Sequence, residues 1–475
     1  MEEFDFKKIP NTNFVFDFKM PNGFLPLGYT KNTIGINILN KLNKESEPFT
    51  AYYSSIHNPS NYELIRTSIF SLFFVEHFPN SKFLITNSIK EINPSELYFV
   101  IIESLSFNNL FETYSDENIN LSELFSPKLL NLIKNNENFK IVFIDVREGA
   151  YPHDIYLLQK INNFLIKNNI NHKNKVLVST NNNFITNLKN KKEFQEFKNK
   201  INVYCNDYLC LTAGRFISEL QIQNNKFTEN GYNFSIQTEL NIKPKEKYFL
   251  MYNRNSERPH RAYFVNELYK NNLINKGIIS FFENSYLDLF LENSTEYVPL
   301  NLNNNDIISI RENYKNFTPL IIDNANAEEV ADYHNFLSRK DEYEKTYFTI
   351  ISETNAESEY CFITEKTMKP IMNLHPFVVL GNPHTLKVLK SYGFKTFDKW
   401  WDESYDDEFD FKKRANMVLD IVKKLCSYSF SEWEFILKEM EETLFYNKKL
   451  LQKMSRNKFY HKKFINNFIP KQTLI

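Results

Sequence analysis

The sequence is poor in glycine, and the glycine-based signatures of several enzyme classes are missing from it. Only 9 of its 475 residues are glycine, against 45 phenylalanines. Their order gives no GxGxxG dinucleotide fingerprint and no GxxxxGK[ST] phosphate loop. It also gives no GxSxG turn, the motif that presents the nucleophile of many serine hydrolases. These absences argue against a P-loop nucleotidase and a serine hydrolase, and they leave a dinucleotide site without support.

Cysteine and long apolar runs are scarce as well. The four cysteines (Cys205, Cys210, Cys361 and Cys426) form no CxxC pair, and no HExxH occurs, so the spacing of a zinc site is missing. We expect reduced thiols in a cytosolic compartment. No apolar stretch reaches the ~18 residues that a membrane-spanning helix needs. The start, MEEFDFKKIPNTNF, has acids where a signal peptide needs bases, so we expect a soluble protein.

Charge of one sign is not in excess. The chain has 57 Lys and Arg against 58 Asp and Glu, a formal net charge of -1. No overall field therefore attracts nucleic acid or an anionic membrane surface. Residues 189–200 and 448–464 are the only lysine-rich stretches that could line a nucleic-acid channel. Such charge runs are usually solvated helix faces, and we do not expect nucleic acid as a partner.

At 56.7 kDa the chain is too long for one hydrophobic core and indicates two to four domains. Residues 1–60 contain turn signals and little periodicity, which predicts an irregular arm or cap. The next part alternates strands with helix-length segments. Its predicted strands are residues 82–88, 97–104, 140–146, 175–181 and 201–207, and its predicted helices include 154–168 and 211–224. Continuous apolar runs in this order favour a parallel sheet covered on both faces.

A polar stretch at residues 237–247 reads as a boundary, and the pattern then begins again. The strands predicted in this second part are residues 247–253, 277–282, 318–323, 347–353 and 376–381, with helices at 261–273, 366–374 and 383–393. From residue 406 the sequence is typical of helices to its end. We predict an α/β protein with two Rossmann-like domains at residues 61–240 and 241–405, an N-terminal arm and a helical C-terminal tail over 406–475.

The clearest chemical pattern runs from Phe348 to Pro383 and reads FTIISETNAESEYCFITEKTMKPIMNLHPFVVLGNP. Glu353 follows a buried strand, and ligands of doubly wound sheets lie beyond the carboxyl ends of strands. A helix that begins near Thr364 turns its free N–H groups toward the same crevice, where Lys366 adds a positive charge. Glu365 can accept hydrogen bonds from ribose hydroxyls. The pattern indicates a diphosphate and ribose site, or else a surface helix that Thr364 simply caps.

The same stretch resembles the donor-binding signature of the α1,3-fucosyltransferases, glycosyltransferase family 10. That signature runs strand, Phe-Glu-Asn, loop, Tyr-(Ile/Val)-Thr-Glu-Lys, helix, and an apolar strand ending in glycine. Residues 352–354 (Ser-Glu-Thr), 362–366 (Phe-Ile-Thr-Glu-Lys) and 376–381 (Pro-Phe-Val-Val-Leu-Gly) correspond to its parts. The loop is two residues longer here, Phe362 stands in place of tyrosine, and Thr354 in place of asparagine.

A second match lies upstream, where MYNRNSERPHRAYFVNEL resembles the family's strand ending in Ser-Asn, its short loop and an arginine that opens a helix. The resemblance places Asn253 at the strand end and gives Arg261 the role of the arginine that contacts the donor diphosphate. A guanidinium can hold phosphate oxygens with two hydrogen bonds. The alternative is that Arg261 is a solvated residue at a helix start.

The resemblance implies a GT-B fold, in which two Rossmann-like domains face each other across a cleft. It implies an inverting, metal-independent transferase, with residues 241–405 binding a GDP-linked sugar, fucose or a relative, and residues 61–240 binding a hydroxyl acceptor such as a glycan. The donor-contacting set is Asn253, Arg261, Phe362, Thr364, Glu365 and Lys366, with no cofactor or metal.

Such a transferase needs a carboxylate that takes the proton of the acceptor hydroxyl. Glu148 is the first candidate, because it lies in a loop just past a predicted buried strand, and Asp145 shares that loop. Further candidates are Glu103, His153, Asp154 and, at its own strand end, Glu353. For each of them the alternative is an ordinary acidic or polar loop residue.

Residues 389–414 follow directly, and their sequence is similar to segments of uncharacterised phage and giant-virus proteins. If the source is viral, this resemblance implies that the protein is located in the host cytoplasm. Their aromatic and acidic cluster (Trp400, Trp401, Asp402, Glu403 and Tyr405) either covers a sugar or base or packs inside the protein. Two other functions stay open: a transferase that glycosylates a modified DNA base, and an inactive nucleotide-binding scaffold.

Overall fold

The structure is a computed structural model of the chain. It describes residues 12–16, 81–85, 89–103, 121–144, 154–170, 175–180, 201–205, 227–229, 232–234, 236–253, 258–281, 300–320, 322, 340–356 and 361–456. The chain divides into two compact units, residues 1–208 with 457–475 and residues 209–456. The domain bounds predicted from the sequence, and the facing of two domains across a cleft, stay predictions.

The first unit contains a parallel sheet of six strands. These are β1 (Thr12–Phe16), β2 (Ser81–Ile85), β3 (Leu97–Glu103), β4 (Phe139–Ile144), β5 (Val176–Thr180) and β6 (Ile201–Cys205), in the spatial order β2-β1-β3-β4-β5-β6. Every neighbouring pair is parallel. Helices α1 (Pro127–Asn135) and α2 (Asp154–Lys167) accompany this sheet. The prediction of a parallel α/β sheet for this part of the chain is confirmed.

Helix α1 shows why the sequence folds this way locally. The Ser126 hydroxyl accepts a hydrogen bond from the Leu129 N–H at 3.2 Å, and Pro127 takes the first helical position, where no N–H is needed. Leu129 and Ile133, one turn apart, are fully buried. They join β-strand residues such as Phe139 in the core of this unit.

Strand β1 corrects one prediction. Residues 12–16 lie between β2 and β3 in the sheet, with Asn13 and Val15 buried, so an irregular arm over residues 1–60 is wrong for this stretch. The physical reason is distance along the chain, because the partners begin only at Ser81 and Leu97. A five-residue parallel strand far from its partners carries no hairpin or turn signal that the local sequence can show.

The second unit contains a parallel sheet of four strands, β9 (Phe249–Tyr252), β10 (Gly277–Ser280), β11 (Phe348–Ser352) and β12 (Phe377–Leu380), in the order β10-β9-β11-β12. A small antiparallel pair, β7 (Phe227–Glu229) and β8 (Tyr232–Phe234), precedes it. The helices described in this unit are α3 (Pro259–Lys270), α4 (Asn304–Phe317), α5 (Lys340–Glu344), α6 (Glu365–Met372), α7 (Thr385–Ser391), α8 (Phe411–Leu425) and α9 (Phe430–Arg456).

The strand order reverses at the centre of this second sheet. From β9 the chain passes through α3 to β10 on one side, whereas from β11 it passes through α6 to β12 on the other side. The point of reversal therefore lies between β9 and β11. In open parallel sheets the crevice outside the carboxyl ends of two such strands is where ligands bind.

Most of the predicted strands and helices agree with the described structure. One predicted strand does not. Within the predicted strand 318–323, the described residues 318–320 and 322 form no strand, and Leu320 makes an isolated antiparallel bridge with Phe281. Pro319 lacks the N–H that a continuous ladder needs. The predicted helix 211–224 and residues 457–475 of the tail lie outside the described residues.

The described part of the C-terminal tail packs on the second unit. Trp433 of α9 is fully buried and stacks on Tyr347 and Phe348, with ring centroids 5.0 Å and 5.7 Å away. Lys448 of α9 donates a hydrogen bond to the Gln237 carbonyl, and the Gln237 N–H donates to Asn373 Oδ1 at 3.1 Å. The segment predicted as a boundary is thus fixed to α9 and to the end of α6.

Within the described part of the chain, no helix is both long enough and apolar enough to cross a membrane.

His375 connects β12 to the segment before β11 at the amino ends of these strands. Its Nε2–H donates to the Thr346 carbonyl at 2.8 Å, and its Nδ1 lies 2.8 Å from the Thr349 hydroxyl that donates to it. Burial lowers the pKa of His375 to about 3; the hydrogen bond to Thr346 works against this shift, and the charge of Lys245 adds to it. The imidazole is therefore neutral in the folded protein.

We expect the second unit to lose stability as the pH falls from about 6.5 to about 3. In this range His375 is protonated in the unfolded chain but stays neutral in the folded protein, so acid favours unfolding. The total loss of unfolding free energy over this range is roughly 5 kcal/mol. All three tryptophans, Trp400, Trp401 and Trp433, lie in this unit, so their fluorescence reports its urea-induced unfolding.

The matched comparison is His375→Gln, which cannot titrate. Its deficit in unfolding free energy relative to the wild type is expected to shrink between pH 7 and pH 4. A deficit that stays constant over this range contradicts the assignment.

Candidate functional site

Two strand ends and two helix starts meet at the point of reversal in the second sheet. Asn253 follows β9 and Glu353 follows β11, while α3 begins at Pro259 and α6 at Glu365. We call Asn253, Arg261, Glu353, Thr364, Glu365 and Lys366 the switch-point cluster. Five of these six residues come from the predicted donor-contacting set, and the sixth, Glu353, was predicted as a catalytic candidate.

The carboxylate of Glu353 is fully buried and accepts three hydrogen bonds from the start of α6. Its Oε1 accepts from the Thr364 N–H at 3.1 Å and from the Thr367 hydroxyl at 2.5 Å, and its Oε2 accepts from the Thr364 hydroxyl at 2.6 Å. Burial raises the pKa of Glu353, against the opposing effects of the Lys366 charge and these hydrogen bonds. The geometry fits a residue that positions α6; its predicted catalytic role stays a prediction.

The main-chain carbonyl of Glu353 is held by the start of α3. His260 Nε2 lies 3.0 Å from this oxygen and Arg261 donates to it at 3.1 Å. Because a carbonyl oxygen only accepts, the Nε2 of His260 carries the proton. Both side chains are buried, so the alternative of a solvated Arg261 is wrong. The prediction that Arg261 contacts a diphosphate stays a prediction.

Helix α6 begins where the sequence predicted. Thr364 is its N-cap, and its hydroxyl accepts from the Lys366 N–H at 3.3 Å. The Lys366 ammonium donates to Glu365 Oε1 at 2.9 Å and to the Thr354 hydroxyl at 3.4 Å. The side chains of Glu365 and Lys366 keep 16% and 22% of their surface exposed. Thr364 therefore caps the helix, and the acid and the lysine stay accessible beside the cap.

The lysines along α6 favour the ionised form of Glu365. Burial by itself raises the pKa of Glu365, but the charges of Lys366 and Lys369, together with hydrogen bonds to the carboxylate, outweigh it and hold the pKa below its usual value. Lys369, one turn further on, lies with its Nζ 5.7 Å from the ring centre of Tyr252. Burial lowers the pKa of Lys369 to about 8, and the charge of Glu365 works against this. An ionised Glu365 beside two lysines suits a site for hydroxyl and phosphate groups.

Asn253 is the second strand-end residue of the cluster. Its N–H donates to the carbonyl and to the hydroxyl of Ser280, each at 3.0 Å. Its side chain is fully buried, and neither its Oδ1 nor its Nδ2 has a hydrogen-bond partner among the described residues. Buried amides are nearly always paired, so such an atom pair at a strand end calls for a partner.

The segment that leads into Thr364 is anchored to the turn after β12. The Phe362 N–H donates to Asn382 Oδ1 at 3.4 Å, and the Phe362 ring is buried. In the same turn a Cβ on Gly381 would lie 3.1 Å from the Thr385 hydroxyl and 3.2 Å from Val379 Cγ1, so a larger residue there would press on both neighbours. The structure thus places Phe362 in the packing behind the cluster.

Arg414 of α8 ties these loops together. Its guanidinium is buried and donates to the carbonyls of Gly381 at 3.0 Å, Glu408 at 2.5 Å and Phe409 at 3.3 Å, and also to that of Ala356. Sequence reasoning missed Arg414, His260, Thr367 and Lys369. His260 adjoins Arg261, and Thr367 follows Thr364 by three residues, so both could have been identified from their predicted neighbours. No local sequence pattern indicates the role of Arg414.

Three of the candidates for the catalytic base lie outside the described residues, and two more lie at the ends of described elements. Asp145, Glu148 and His153 lie outside the described residues. Glu103 is the last residue of β3 and Asp154 the first of α2, as the sequence led us to expect of residues at element ends. Among the described residues, no group of three His, Cys, Asp or Glu side chains is placed to hold a metal ion.

The aromatic and acidic cluster after residue 399 packs within the second unit. Trp401 and Tyr405 are buried, and the Tyr405 hydroxyl accepts from the Val379 N–H at 3.2 Å. The carboxylate of Glu403 accepts from the Thr396 hydroxyl and the Phe397 N–H at 2.6 Å and 2.7 Å. Tyr405 thereby supports β12, while Trp401 packs on Phe397 with ring centroids 5.1 Å apart, and the burial of these side chains agrees with the packing alternative.

No protein-family model matches this chain, and the comparison with curated proteins gives no match. Among solved structures it is similar to an alpha,alpha-trehalose-phosphate synthase (UDP-forming) from Burkholderia vietnamiensis, with a TM-score of 0.35 and 8% sequence identity. The alignment covers 79% of this chain and 73% of the synthase. A TM-score this low establishes neither a shared fold nor a shared function.

We expect Glu353→Ala to lower the free energy of unfolding of the second unit by about 3 kcal/mol or more, because three buried donors lose their acceptor. Glu353→Gln keeps the shape and one acceptor oxygen, so its expected cost is about 1–2 kcal/mol. Tryptophan fluorescence during urea unfolding measures both.

The control is Glu442→Ala, whose side chain is 90% exposed and whose expected effect is within about 0.5 kcal/mol. If Glu353→Ala costs no more than this control, the carboxylate does not organise α6.

Proposed function

We propose that the chain is a glycosyltransferase of the GT-B type that binds a nucleotide-sugar donor at the switch-point cluster. One observation carries this proposal. An accessible lysine, an ionised carboxylate and the start of α6 lie together at the carboxyl end of β11, on the buried support of Glu353. A diphosphate beside a ribose needs this set of groups, because one part is anionic and the other offers hydroxyls.

We assign the roles in the donor site from the chemistry and position of these groups. Lys366 binds the diphosphate, with the positive end of the α6 dipole behind it, and Glu365 accepts from the ribose hydroxyls. Asn253 turns its unpaired amide to the donor from the end of β9. Arg261 holds the Glu353 carbonyl and lends its charge to the same crevice.

We further propose an inverting reaction without a metal, with a GDP-linked sugar, fucose or a relative, as the donor. The acceptor hydroxyl oxygen attacks the anomeric carbon while the bond from that carbon to the diphosphate oxygen breaks. The hydroxyl proton passes to a carboxylate, for which Glu148 is our first choice. The charge that develops on the leaving diphosphate is met by Lys366 and the start of α6. The resemblance of residues 352–381 to fucosyltransferases supports the choice of donor.

The first test is a thermal-shift screen of the full chain against GDP, UDP, ADP, CMP and their common sugar conjugates, with and without EDTA. GDP or a GDP-sugar is expected to stabilise the protein by ~2.7 kcal/mol at a hundredfold excess over its dissociation constant. The effect of EDTA on this shift is expected to be nil. Stabilisation by UDP compounds alone would reject the GDP donor, and silence from every nucleotide would reject the transferase.

Replacing Lys366 by alanine is expected to weaken nucleotide binding by a factor of about ten to a hundred, because a charged hydrogen bond to phosphate is lost. The fold is expected to persist, since the Lys366 side chain is partly exposed. Isothermal titration with the nucleotide found in the screen measures the change.

Lys438→Ala is the control, because Lys438 also pairs with a single nearby glutamate but lies on α9. Full nucleotide affinity in Lys366→Ala would remove the lysine from the site.

Glu148→Gln is expected to lower turnover at least about a hundredfold, since a general base contributes typically that much. Donor affinity is expected to stay within about twofold, because the base acts on the acceptor. Initial rates and donor titration separate the two effects. If turnover survives, Asp145→Asn is the next variant, and survival of both places the base elsewhere.

A further inference from the structure

Three partly exposed side chains of different chemistry lie together just past the end of β12. His384 Nδ1 is 3.1 Å from Asp407 Oδ1, and the His384 ring lies edge-on to Phe409, with centroids 5.3 Å apart and planes at 84°. The exposed fractions are 33% for the His384 side chain, 77% for that of Asp407 and 61% for Phe409. We call these three residues the β12 patch.

The two segments that carry the patch are firmly held. The His384 N–H donates to the Asp406 carbonyl at 2.6 Å, and the Asp406 carboxylate accepts from the N–H groups of Leu386 and Lys387 at 2.8 Å and 3.0 Å. Arg414 binds the carbonyls on both sides of the patch, that of Gly381 and those of Glu408 and Phe409. The patch is therefore a preorganised surface, although its side chains face solvent.

The backbone of His384 is an outlier. Its φ of +65° lies in the left-handed region, where side chains other than glycine are uncommon. Such a conformation persists only where the surroundings impose it, and outliers of this kind are concentrated at binding and catalytic sites. Here the conformation brings the imidazole beside Asp407 and Phe409.

The patch lies on the same sheet edge as the switch-point cluster. Strand β12 pairs with β11, so their carboxyl ends are neighbours, about 5 Å apart across the ladder. The turn after β12 also contacts the segment leading into Thr364, through Cys361 Sγ and the Thr385 hydroxyl at 3.5 Å and through Phe362 and Asn382. A ligand in the switch-point cluster would thus have the patch beside it.

The chemistry of the patch matches a sugar ring. The face of an aromatic ring is negative and attracts the C–H groups on one face of a pyranose. A carboxylate accepts hydrogen bonds from hydroxyls, and an imidazole can both donate and accept. We propose that the β12 patch is a carbohydrate subsite, with Phe409 under the ring and Asp407 and His384 on its hydroxyls. This proposal rests on the proposed function, in which the sugar belongs to the donor or to the acceptor.

The test uses the full chain and free monosaccharides, so that it does not depend on nucleotide binding. Saturation-transfer difference NMR is recorded with L-fucose, D-mannose, D-glucose, D-galactose and N-acetyl-D-glucosamine. At least one is expected to bind, and Phe409→Ala, Asp407→Asn and His384→Asn are each expected to weaken it about tenfold. Asparagine suits position 384, because it adopts the left-handed conformation readily.

Phe435→Ala and Asp420→Asn are matched controls, because Phe435 is 63% exposed and the Asp420 side chain 74% exposed elsewhere in the unit. Both are expected to bind the sugar like the wild type. If no monosaccharide binds the wild type, or if the patch variants bind as well as the controls, the proposal is overturned. Failure of every tested nucleotide to bind the wild type, by contrast, rejects the proposed function and leaves this test standing.

A second measurement identifies the source of the sugar. If Phe409→Ala weakens binding of the GDP-sugar but not of GDP, the patch holds the donor sugar. If it leaves both unchanged and weakens only the free sugar, the patch holds the acceptor. Either result supports a carbohydrate subsite.

Discussion

The buried carboxylate of Glu353 is the interaction on which the second unit's site depends. One residue at a strand end joins two helix starts, because its carboxylate binds Thr364 and Thr367 of α6 while its carbonyl binds His260 and Arg261 of α3. A buried carboxylate is costly unless each oxygen is satisfied, and here both oxygens are. The cost of burial therefore enforces one relative position of the strand and the two helices.

The residue that positions α6 is a different one from the residues that remain accessible to a ligand. Glu353 is sealed from water, whereas Glu365 and Lys366, one and two residues beyond the cap, remain partly exposed. The helix start can point its charged residues outward only because Thr364 points its own hydroxyl inward. The proposed anion site uses few glycines, because a side-chain carboxylate takes the supporting place that a glycine-rich turn has in many nucleotide sites.

The sequence predicted those parts of the structure that local chemistry determines. The strand ending at Ser352 and the cap at Thr364 are both visible as an apolar run and a threonine before charged residues, and α2 was placed within one residue of its end. Contacts between distant segments were not predictable. Strand β1, the hydrogen bond from Arg261 to the Glu353 carbonyl and the reach of Arg414 to Ala356 each join segments far apart in the chain.

Arg414 satisfies its guanidinium on carbonyls of the main chain, four of which receive its N–H groups. Every amino acid supplies such a carbonyl, so the loops that it holds can change their side chains without losing their anchor. Evolution could then vary residues at the rim of the site, and with them the choice of ligand, while the scaffold beneath stays fixed. Only Arg414 itself would lack that freedom.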